Sequence, residues 1–390
     1  MRLVGLASLL IGAAGCGGIA ADADPLASIA ASVAEEERAP ARLAEAWRRV
    51  PPAPLTLAPA VGEAGVYLAA GNQLFAWRTA DGEDLWRLPL DASISAAPLA
   101  APAGQIVVAT RGGDGVPPRL WWVSAAGDLI GQRPTPQAIL ELAAAPLAPS
   151  DQAAPVADVI YRDGGGVGRV GPGESSAEWY EEVAGAQTIV AAAAADLVLV
   201  TTSEGRLLAF AAADGAAQWE YTAPGSNLTR PAVTAERIYV GDDGGRIVAL
   251  DAGDREEIWH RDLGVAVIGA PAVTGDLLWV AALDGRLHGY DAGNGTILHD
   301  FALSSRNYLD LTGFGPWLIV GARRGPWLAV RAPTRAERGG GLVRVQVPRA
   351  ANEPAIELPA AAGPAGVAVA NGPSPTSALV FLQPQLPRVR

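Results

Sequence analysis

The sequence predicts an all-β protein, an eight-bladed β-propeller, from three observations. Gly (46) and Pro (31) are abundant among the 390 residues, which excludes long helices because both residue types break them. Hydrophobic residues make up 50 % of the chain and charged residues 18 %, so the chain can build a core and is not disordered. The third observation is a sequence repeat with a period of 40 residues, which is typical of propeller blades.

The repeat is carried by Trp, Gly and Pro at fixed positions. Trp179, Trp219 and Trp259 are 40 residues apart, and His299 occupies the next step. Glycines recur with the same period, and three of them begin a Gly-Arg-Leu or Gly-Arg-Ile triplet: Gly205, Gly245 and Gly285. A proline follows several of the tryptophans by twelve residues: Pro59, Pro98, Pro231 and Pro271. Independent features with one shared period indicate copies of one supersecondary unit.

One unit contains four short strands. Residues 197–200 and 207–210 are apolar runs on either side of a turn at 202–205, whose glycine tolerates positive φ. Residues 217–221 form a further strand that carries the tryptophan, and 231–233 supply the strand that follows it. Four short strands in about 40 residues is the size of one propeller blade.

Counting the strand pairs predicts the number of blades and the way in which the ring closes. Pairs begin near residues 65, 105, 156, 196, 236, 276, 316 and 366, which predicts eight blades. Trp47 precedes Trp86 by 39 residues, but no inner strands come before it. We therefore expect a propeller domain over 47–390 in which the segment around Trp47 forms the outer strand of the last blade. Such closure removes exposed sheet edges.

The N-terminus has the pattern of an export signal. Met1-Arg2 is followed by an apolar stretch over 3–12, and the small residues Ala13-Ala14-Gly15 lead directly to Cys16, the one cysteine of the chain. This predicts a signal peptide over 1–15, too short to span a membrane as a finished helix. Cys16 directly follows the predicted cleavage site, which suggests a role for it. The alternative is an ordinary signal peptide, in which the position of Cys16 has no significance. Residues 16–46 are rich in Ala and charged residues, which predicts a partly helical tether.

The charge of the chain restricts its partners. The formal net charge is −12, and the basic residues are all Arg. Nucleic-acid binding relies on a basic surface, and so does attraction to anionic lipid headgroups. The composition therefore argues against both, and any membrane attachment is expected to rest on lipid alone.

The repeats resemble a known family. Asp251-Ala252-Gly253 through Trp259 is similar to the Trp-docking repeat of quinoprotein-type propellers, also called the PQQ repeat, and residues 13–16 resemble a bacterial lipobox. With the length and the blade count, the chain resembles the BamB family of outer-membrane protein assembly factors. This resemblance implies that Cys16 is lipidated. It also implies a lipid-anchored, non-catalytic scaffold on the periplasmic face of the outer membrane, whose candidate partner is the barrel-assembly subunit. Leu228 and Arg230 echo a partner-binding motif of that family, so they are the candidate partner-binding residues.

No catalytic, cofactor-binding or metal-binding residues are predicted. Asp242, Asp243, Asp284 and Asp291 recur at turns, where Asp caps its own backbone, although a calcium site is the alternative. His299 replaces a docking tryptophan, so it is expected to pack. The single cysteine rules out the vicinal disulfide of quinoprotein dehydrogenases. The alternative function is a propeller that binds a quinone or another small ligand, as a sensor or a dehydrogenase-related subunit.

Overall fold

The computed structural model describes residues 42–113, 115–146, 158–173, 178–225, 227–303, 310–321, 327–331, 343–346, 358–370 and 378–385. The predicted signal peptide, Cys16 and the tether as far as residue 41 lie outside these ranges. The propeller lies in the compact unit Leu43–Pro384. No helix among the described residues has the length and apolar character needed to cross a membrane.

The described residues form strands and two short 3-10 helices, Pro102–Gly104 and Ala193–Ala195. The strands in chain order are β1 (Arg42–Arg49), β2 (Ala60–Val61), β3 (Gly65–Ala70), β4 (Gln73–Arg78), β5 (Asp84–Pro89), β6 (Leu99–Ala100), β7 (Ile106–Thr110), β8 (Arg119–Val123), β9 (Leu129–Pro134), β10 (Glu141–Ala144), β11 (Val159–Arg162), β12 (Gly166–Val170), β13 (Trp179–Glu182), β14 (Ala186–Ala192), β15 (Leu197–Thr202), β16 (Arg206–Ala211), β17 (Ala217–Thr222), β18 (Ala232–Val233), β19 (Arg237–Gly241), β20 (Arg246–Asp251), β21 (Glu257–Asp262), β22 (Ala272–Thr274), β23 (Leu277–Ala281), β24 (Arg286–Asp291), β25 (Ile297–Ala302), β26 (Thr312–Phe314), β27 (Trp317–Val320), β28 (Leu328–Arg331), β29 (Val343–Gln346), β30 (Ala361–Gly363), β31 (Gly366–Ala370) and β32 (Leu379–Gln385).

These strands build eight four-stranded sheets, the blades, in a ring. Blades 1 to 7 each use four consecutive strands, from β2–β5 for blade 1 to β26–β29 for blade 7, and the first strand of each is innermost. Blade 8 has the order β1-β32-β31-β30, so the N-terminal strand is its outermost member. The predicted eight-bladed fold is confirmed, with a strand pair near each predicted start.

The start of β1 corrects one predicted boundary. The tether was expected to be partly helical through residue 46, but residues 42–46 belong to the strand. Leu43 and Trp47 are both buried and lie on one face of β1, which pairs with β32. Pairing and burial therefore override the helix propensity of this Ala- and Glu-containing segment.

The core is divided into eight clusters, each between two neighbouring blades. The cluster between blades 8 and 1, for example, joins Trp47 and Phe381 to Phe75 and Trp77. The other seven clusters follow around the ring in the same way. Because each sheet is covered on both faces, strands such as β3 are buried along their whole length. A single blade could not bury these faces alone, so the blades depend on one another.

The 40-residue period corresponds to a contact between neighbouring blades. In four cases the indole Nε1 of an outer-strand tryptophan donates to a carbonyl in the next blade: Trp47 to Thr79 (2.9 Å), Trp86 to Ala125 (2.8 Å), Trp179 to Ala212 (3.0 Å) and Trp259 to Ala292 (3.1 Å). A glycine with positive φ lies under each ring: Gly82, Gly127, Gly215 and Gly295. A Cβ there would come within 2.6–2.8 Å of the ring, so only glycine allows the close approach.

An arginine two residues after the tryptophan reinforces two of these contacts. Arg49 Nε donates to Gly82 O (2.6 Å), and Arg261 Nε donates to Gly295 O (2.8 Å). The position of Trp219, the corresponding tryptophan of blade 4, departs from this pattern. In the matching turn of blade 5, Arg255 stands at φ 64° where the other turns have glycine. The buried Nε1 of Trp219 has no hydrogen-bond partner among the described residues.

His299 packs where the repeat has a tryptophan, as predicted. Its ring stacks on Trp279 and on Phe301, with ring centroids 5.7 Å apart in both cases. Burial lowers the pKa of His299 below its ordinary value. The folded protein therefore favours the neutral imidazole.

The lowered pKa of His299 predicts a loss of stability in mild acid. The unfolded chain binds the proton more readily than the folded chain, so stability should fall as the pH drops through about 6.5, the ordinary value. We expect His299→Phe, which keeps an aromatic ring but cannot titrate, to melt less pH-dependently than the wild type between about pH 7.5 and pH 5. Thermal melts across this range measure the difference. A variant of the exposed His260 is the control and should retain the dependence, and an unchanged pH profile for His299→Phe would contradict the prediction.

Three of the four recurrent aspartates cap turns, as predicted, and the fourth, Asp243, accepts the side-chain N–H of Asn227. Asp242 Oδ1 accepts the Arg246 N–H (2.8 Å), Asp284 Oδ1 accepts the Arg286 N–H (2.9 Å), and Asp291 Oδ1 accepts the Gly293 N–H (2.8 Å). Among the described residues, no group of three or more His, Cys, Asp or Glu side chains is arranged to hold a metal ion.

Candidate functional site at the channel mouth

Arg230 lies over the central axis of the ring. It precedes β18 of blade 5, and its guanidinium donates to Glu141 of blade 3 and to the Ile189 carbonyl of blade 4 (3.3 Å). Its Nε is 4.0 Å from Asp310 Oδ2, just before β26 of blade 7. Blades 3 and 7 face each other in a ring of eight. A side chain that reaches both must therefore cross the channel, at the end where the inner strands begin.

Glu141 holds this arginine in position. It is the first residue of β10, and its largely buried carboxylate accepts hydrogen bonds from Arg162 Nε (3.3 Å) and the Ile189 N–H (3.2 Å) as well as from Arg230. Asp310 is itself fixed, because its Oδ1 accepts the Ala270 N–H (2.8 Å) of the loop before β22. Partly buried charges of this kind depend on their partners, since removing one would leave the others uncompensated.

The surroundings of Arg230 combine apolar and polar groups. Leu140, next to Glu141, is exposed. Gln187 Nε2 donates to Asn227 Oδ1 (3.4 Å), and Asn227 Nδ2 donates to Asp243 Oδ2 (2.8 Å). We call the set Leu140, Gln187, Asn227, Arg230 and Asp310 the mouth surface. About 39 % of the Arg230 side chain is accessible there, so part of it remains open to a partner.

The sequence and the fold are similar to those of known proteins. A family model described as "Outer membrane protein assembly factor BamB" (PQQ_2) matches residues 39–134 and 228–322. Among solved structures, the crystal structure of BamB from Moraxella catarrhalis is similar, with a TM-score of 0.66 and 15 % identity over 88 % of this chain and 100 % of that chain. The chain is a BamB-like PQQ-repeat propeller.

A second similar structure indicates that the fold alone does not determine function. The computationally designed Ika8 protein matches this BamB-like propeller with a TM-score of 0.63 and 14 % identity, over 86 % of this chain and 98 % of that one. No curated protein matches the sequence. Because a designed protein has the same architecture, function must be argued from the residues of the site and not from the fold.

In the BamB-like propeller, the side chains of the two predicted partner-binding residues lie in different surroundings. Leu228 is only 6 % exposed and packs in the cluster between blades 4 and 5, where it forms an isolated bridge with Asp242. Its side chain is therefore not available to a partner, because the interblade core covers it. Arg230, two residues later, reaches the mouth surface and remains a candidate. The predicted lipidation site Cys16 lies outside the described residues.

Sequence reasoning missed Glu141 and Asp310. Glu141 is the one charged residue in the inner strand Glu-Leu-Ala-Ala, and a charge within a strand that lines a channel is a usable signal. Its contact with Arg230, 89 residues away, has no relation to the 40-residue period, so the repeat could not reveal it.

Two tyrosines of blade 3, Tyr161 in β11 and Tyr180 in the outer strand β13, stay protonated at neutral pH. Asp163 Oδ1 accepts the Tyr180 hydroxyl (2.8 Å), and burial together with this hydrogen bond raises the pKa of Tyr180. Burial raises the pKa of Tyr161 to about 12. Neither phenol can act as a base near pH 7. What the mouth surface offers is hydrogen bonding and charge pairing with a partner.

Proposed function

We propose that this BamB-like propeller is a non-catalytic scaffold of the cell envelope that acts in the assembly of outer-membrane β-barrel proteins. Its mouth surface binds an envelope protein, and the barrel-assembly subunit is the specific candidate. The observation that carries the proposal is the position of Arg230 over the axis, where Glu141 and the Ile189 carbonyl fix the guanidinium while about 39 % of the side chain stays accessible. A fixed guanidinium needs little ordering when it binds, which favours affinity.

We further propose that lipid on Cys16 holds the protein to the outer membrane, on its periplasmic face. The net charge of −12 offers no attraction to anionic headgroups. Each buried methylene of a lipid chain contributes about 0.8 kcal/mol, and stable anchoring takes more than one chain. Anchoring raises the local concentration of the scaffold near membrane partners, so a modest interface would suffice.

A crosslinking pull-down from native membranes tests the partner. Arg230→Glu reverses the charge at the mouth surface and should lower recovery of the barrel-assembly subunit by about tenfold or more. Arg78→Glu is the matched control, because about 45 % of its side chain is accessible at a turn on the opposite end of the ring. It should leave recovery unchanged. Equal recovery with Arg230→Glu would contradict the proposed site, and absence of the subunit from the wild-type sample would contradict the proposed partner.

The anchor is tested separately by replacing Cys16. Mass spectrometry of the N-terminal peptide should find an acylated Cys16 in the wild type, and Cys16→Ser should be released from the membrane fraction with its propeller folded. An unmodified Cys16, or equal membrane retention of both forms, would contradict lipid anchoring.

The alternative to the scaffold is a propeller that binds a quinone or another small ligand. Light absorption by a bound cofactor in the purified protein would favour that alternative.

A further inference from the structure

The turn between β24 and β25 contains a chemically reactive pair, Asn294-Gly295. An asparagine before glycine readily loses its side-chain amide, because glycine has no side chain to hinder attack by its own backbone nitrogen. The described residues contain two other asparagines, Asn72 and Asn227, which are followed by Gln and Leu. Asn294 is exposed, so water can reach its amide, whereas Gly295 is buried.

The folded turn points the Gly295 nitrogen away from this amide. Attack requires the Gly295 N–H bond to be directed at the side-chain carbon of Asn294, but this N–H donates to the Asp291 carbonyl (2.8 Å). The carbonyl oxygen of the same peptide group, Asn294 O, accepts a hydrogen bond from Arg261 Nη2 (3.0 Å). The peptide group is therefore fixed at both ends, and the Trp259 ring of blade 5 covers Gly295.

We propose that Asn294 is a deamidation site, and that the contact between blades 5 and 6 holds the reaction back. When Trp259 and Arg261 leave the turn, the Gly295 nitrogen forms a bond to the side-chain carbon of Asn294. The amide nitrogen then leaves as ammonia and takes the proton that Gly295 loses. Water opens the resulting succinimide at either carbonyl, which gives aspartate or isoaspartate. The product is a permanent record of a local opening of this contact.

The two products differ in how they fit the turn. Asp81 and Asp214 hold the same repeat position in blades 1 and 4, and each accepts a backbone N–H two residues ahead (3.0 Å), as Asn294 Oδ1 accepts the Thr296 N–H (2.8 Å). The aspartate product therefore keeps the cap. Isoaspartate carries the chain through its Cβ and lengthens the backbone of the turn, so we expect it to keep Trp259 from docking again.

Peptide mapping of the full chain tests the proposal. We expect Asn294 to deamidate at mildly alkaline pH in guanidinium chloride, and to do so about tenfold or more slowly in buffer, where the turn is closed. Mass spectrometry identifies the product and separates this peptide from the one that contains Asn371-Gly372, a pair outside the described residues. Equal rates in denaturant and in buffer, or no reaction in denaturant, would overturn the proposal.

Matched variants show whether the blade contact controls the reaction. Trp259→Ala uncovers Gly295 and should speed deamidation in buffer by about tenfold or more. Trp86→Ala is the control, since it removes the equivalent ring over Gly127, between blades 1 and 2, and should leave the rate unchanged. Arg261→Ala keeps the ring but removes its hydrogen bonds to the turn, so it should also speed the reaction.

Circular dichroism checks that each variant is folded, and Arg261→Ala decides the outcome if Trp259→Ala is not. Wild-type rates in the folded variants at positions 259 and 261 would overturn the proposal. The same acceleration in Trp86→Ala would overturn it as well, because the reaction would then follow the stability of the whole ring and not this contact.

Discussion

Replacing Trp47 by Ala should lower the free energy of unfolding by about 3–5 kcal/mol, the usual cost of removing a buried tryptophan. The indole stacks on Phe381 with ring centroids 5.1 Å apart, and its Nε1 donates to Thr79 O of blade 1. This side chain therefore connects blade 8, made from both ends of the chain, to the first blade. The chain runs on from β1 into blade 1, so the ring is closed without chain continuity only where β1 pairs with β32 inside blade 8, and losing the stacking of Trp47 on Phe381 weakens that pairing. Urea unfolding followed by circular dichroism measures the change.

Trp86→Ala is the control for closure. Trp86 holds the same position in the repeat, and its Nε1 donates to Ala125 O at 2.8 Å, but its strand β5 is joined by the chain to β4 of the same blade, whereas β1 is held in blade 8 by pairing alone. We expect a smaller loss of stability there. Deleting residues 17–50 removes β1 altogether and exposes the edge of β32, so the truncated protein should unfold at a much lower temperature. Melting at the wild-type temperature would contradict the closure argument.

Gly82→Ala should destabilise the protein by about 2–4 kcal/mol, although it adds a single methyl group. Gly82 has φ +70°, and its new Cβ would lie 2.6 Å from the Trp47 ring. The left-handed backbone costs an L-residue about 1 kcal/mol or more, and displacement of the packed indole adds the rest. The same unfolding measurement, with tryptophan fluorescence as a second signal, reports both the stability and the altered environment of Trp47.

Gly71→Ala separates the two contributions to that loss. Gly71 has a similar φ of +62°, but nothing lies within 4 Å of the Cβ it would gain. Only the backbone term applies, so we expect a loss of about 1 kcal/mol. Equal losses in the two variants would mean that the close approach of Trp47 to Gly82 contributes nothing to stability.

The sequence by itself determined the architecture, because the decisive contacts recur at a fixed separation along the chain. Trp259 contacts Ala292 of the next blade, and Trp179 contacts Ala212 in the same way. In both contacts the two residues are 33 positions apart along the chain. When the same tertiary contact recurs at a constant spacing, its residues form a periodic pattern in the sequence. The strands of each blade are joined by short turns, which are also recognisable in the sequence. The number of blades could therefore be counted from residues alone, as could the packing role of His299.

Only the tertiary structure decided the site and the chain ends. Arg230 meets Glu141 and approaches Asp310 because the ring brings blades 3, 5 and 7 to one axis. Arg230 and Asp310 hold the same repeat position two blades apart, but Glu141 is 89 residues from Arg230 and out of phase with the period, so the sequence does not reveal their contact. Leu228, two residues from Arg230, is covered by its neighbouring blade instead of facing a partner. Residues 42–46 have the local composition of a helix, but pairing of β1 with β32 from the far end of the chain makes them a strand. In each case a contact distant in sequence outweighs the local preference of the residues.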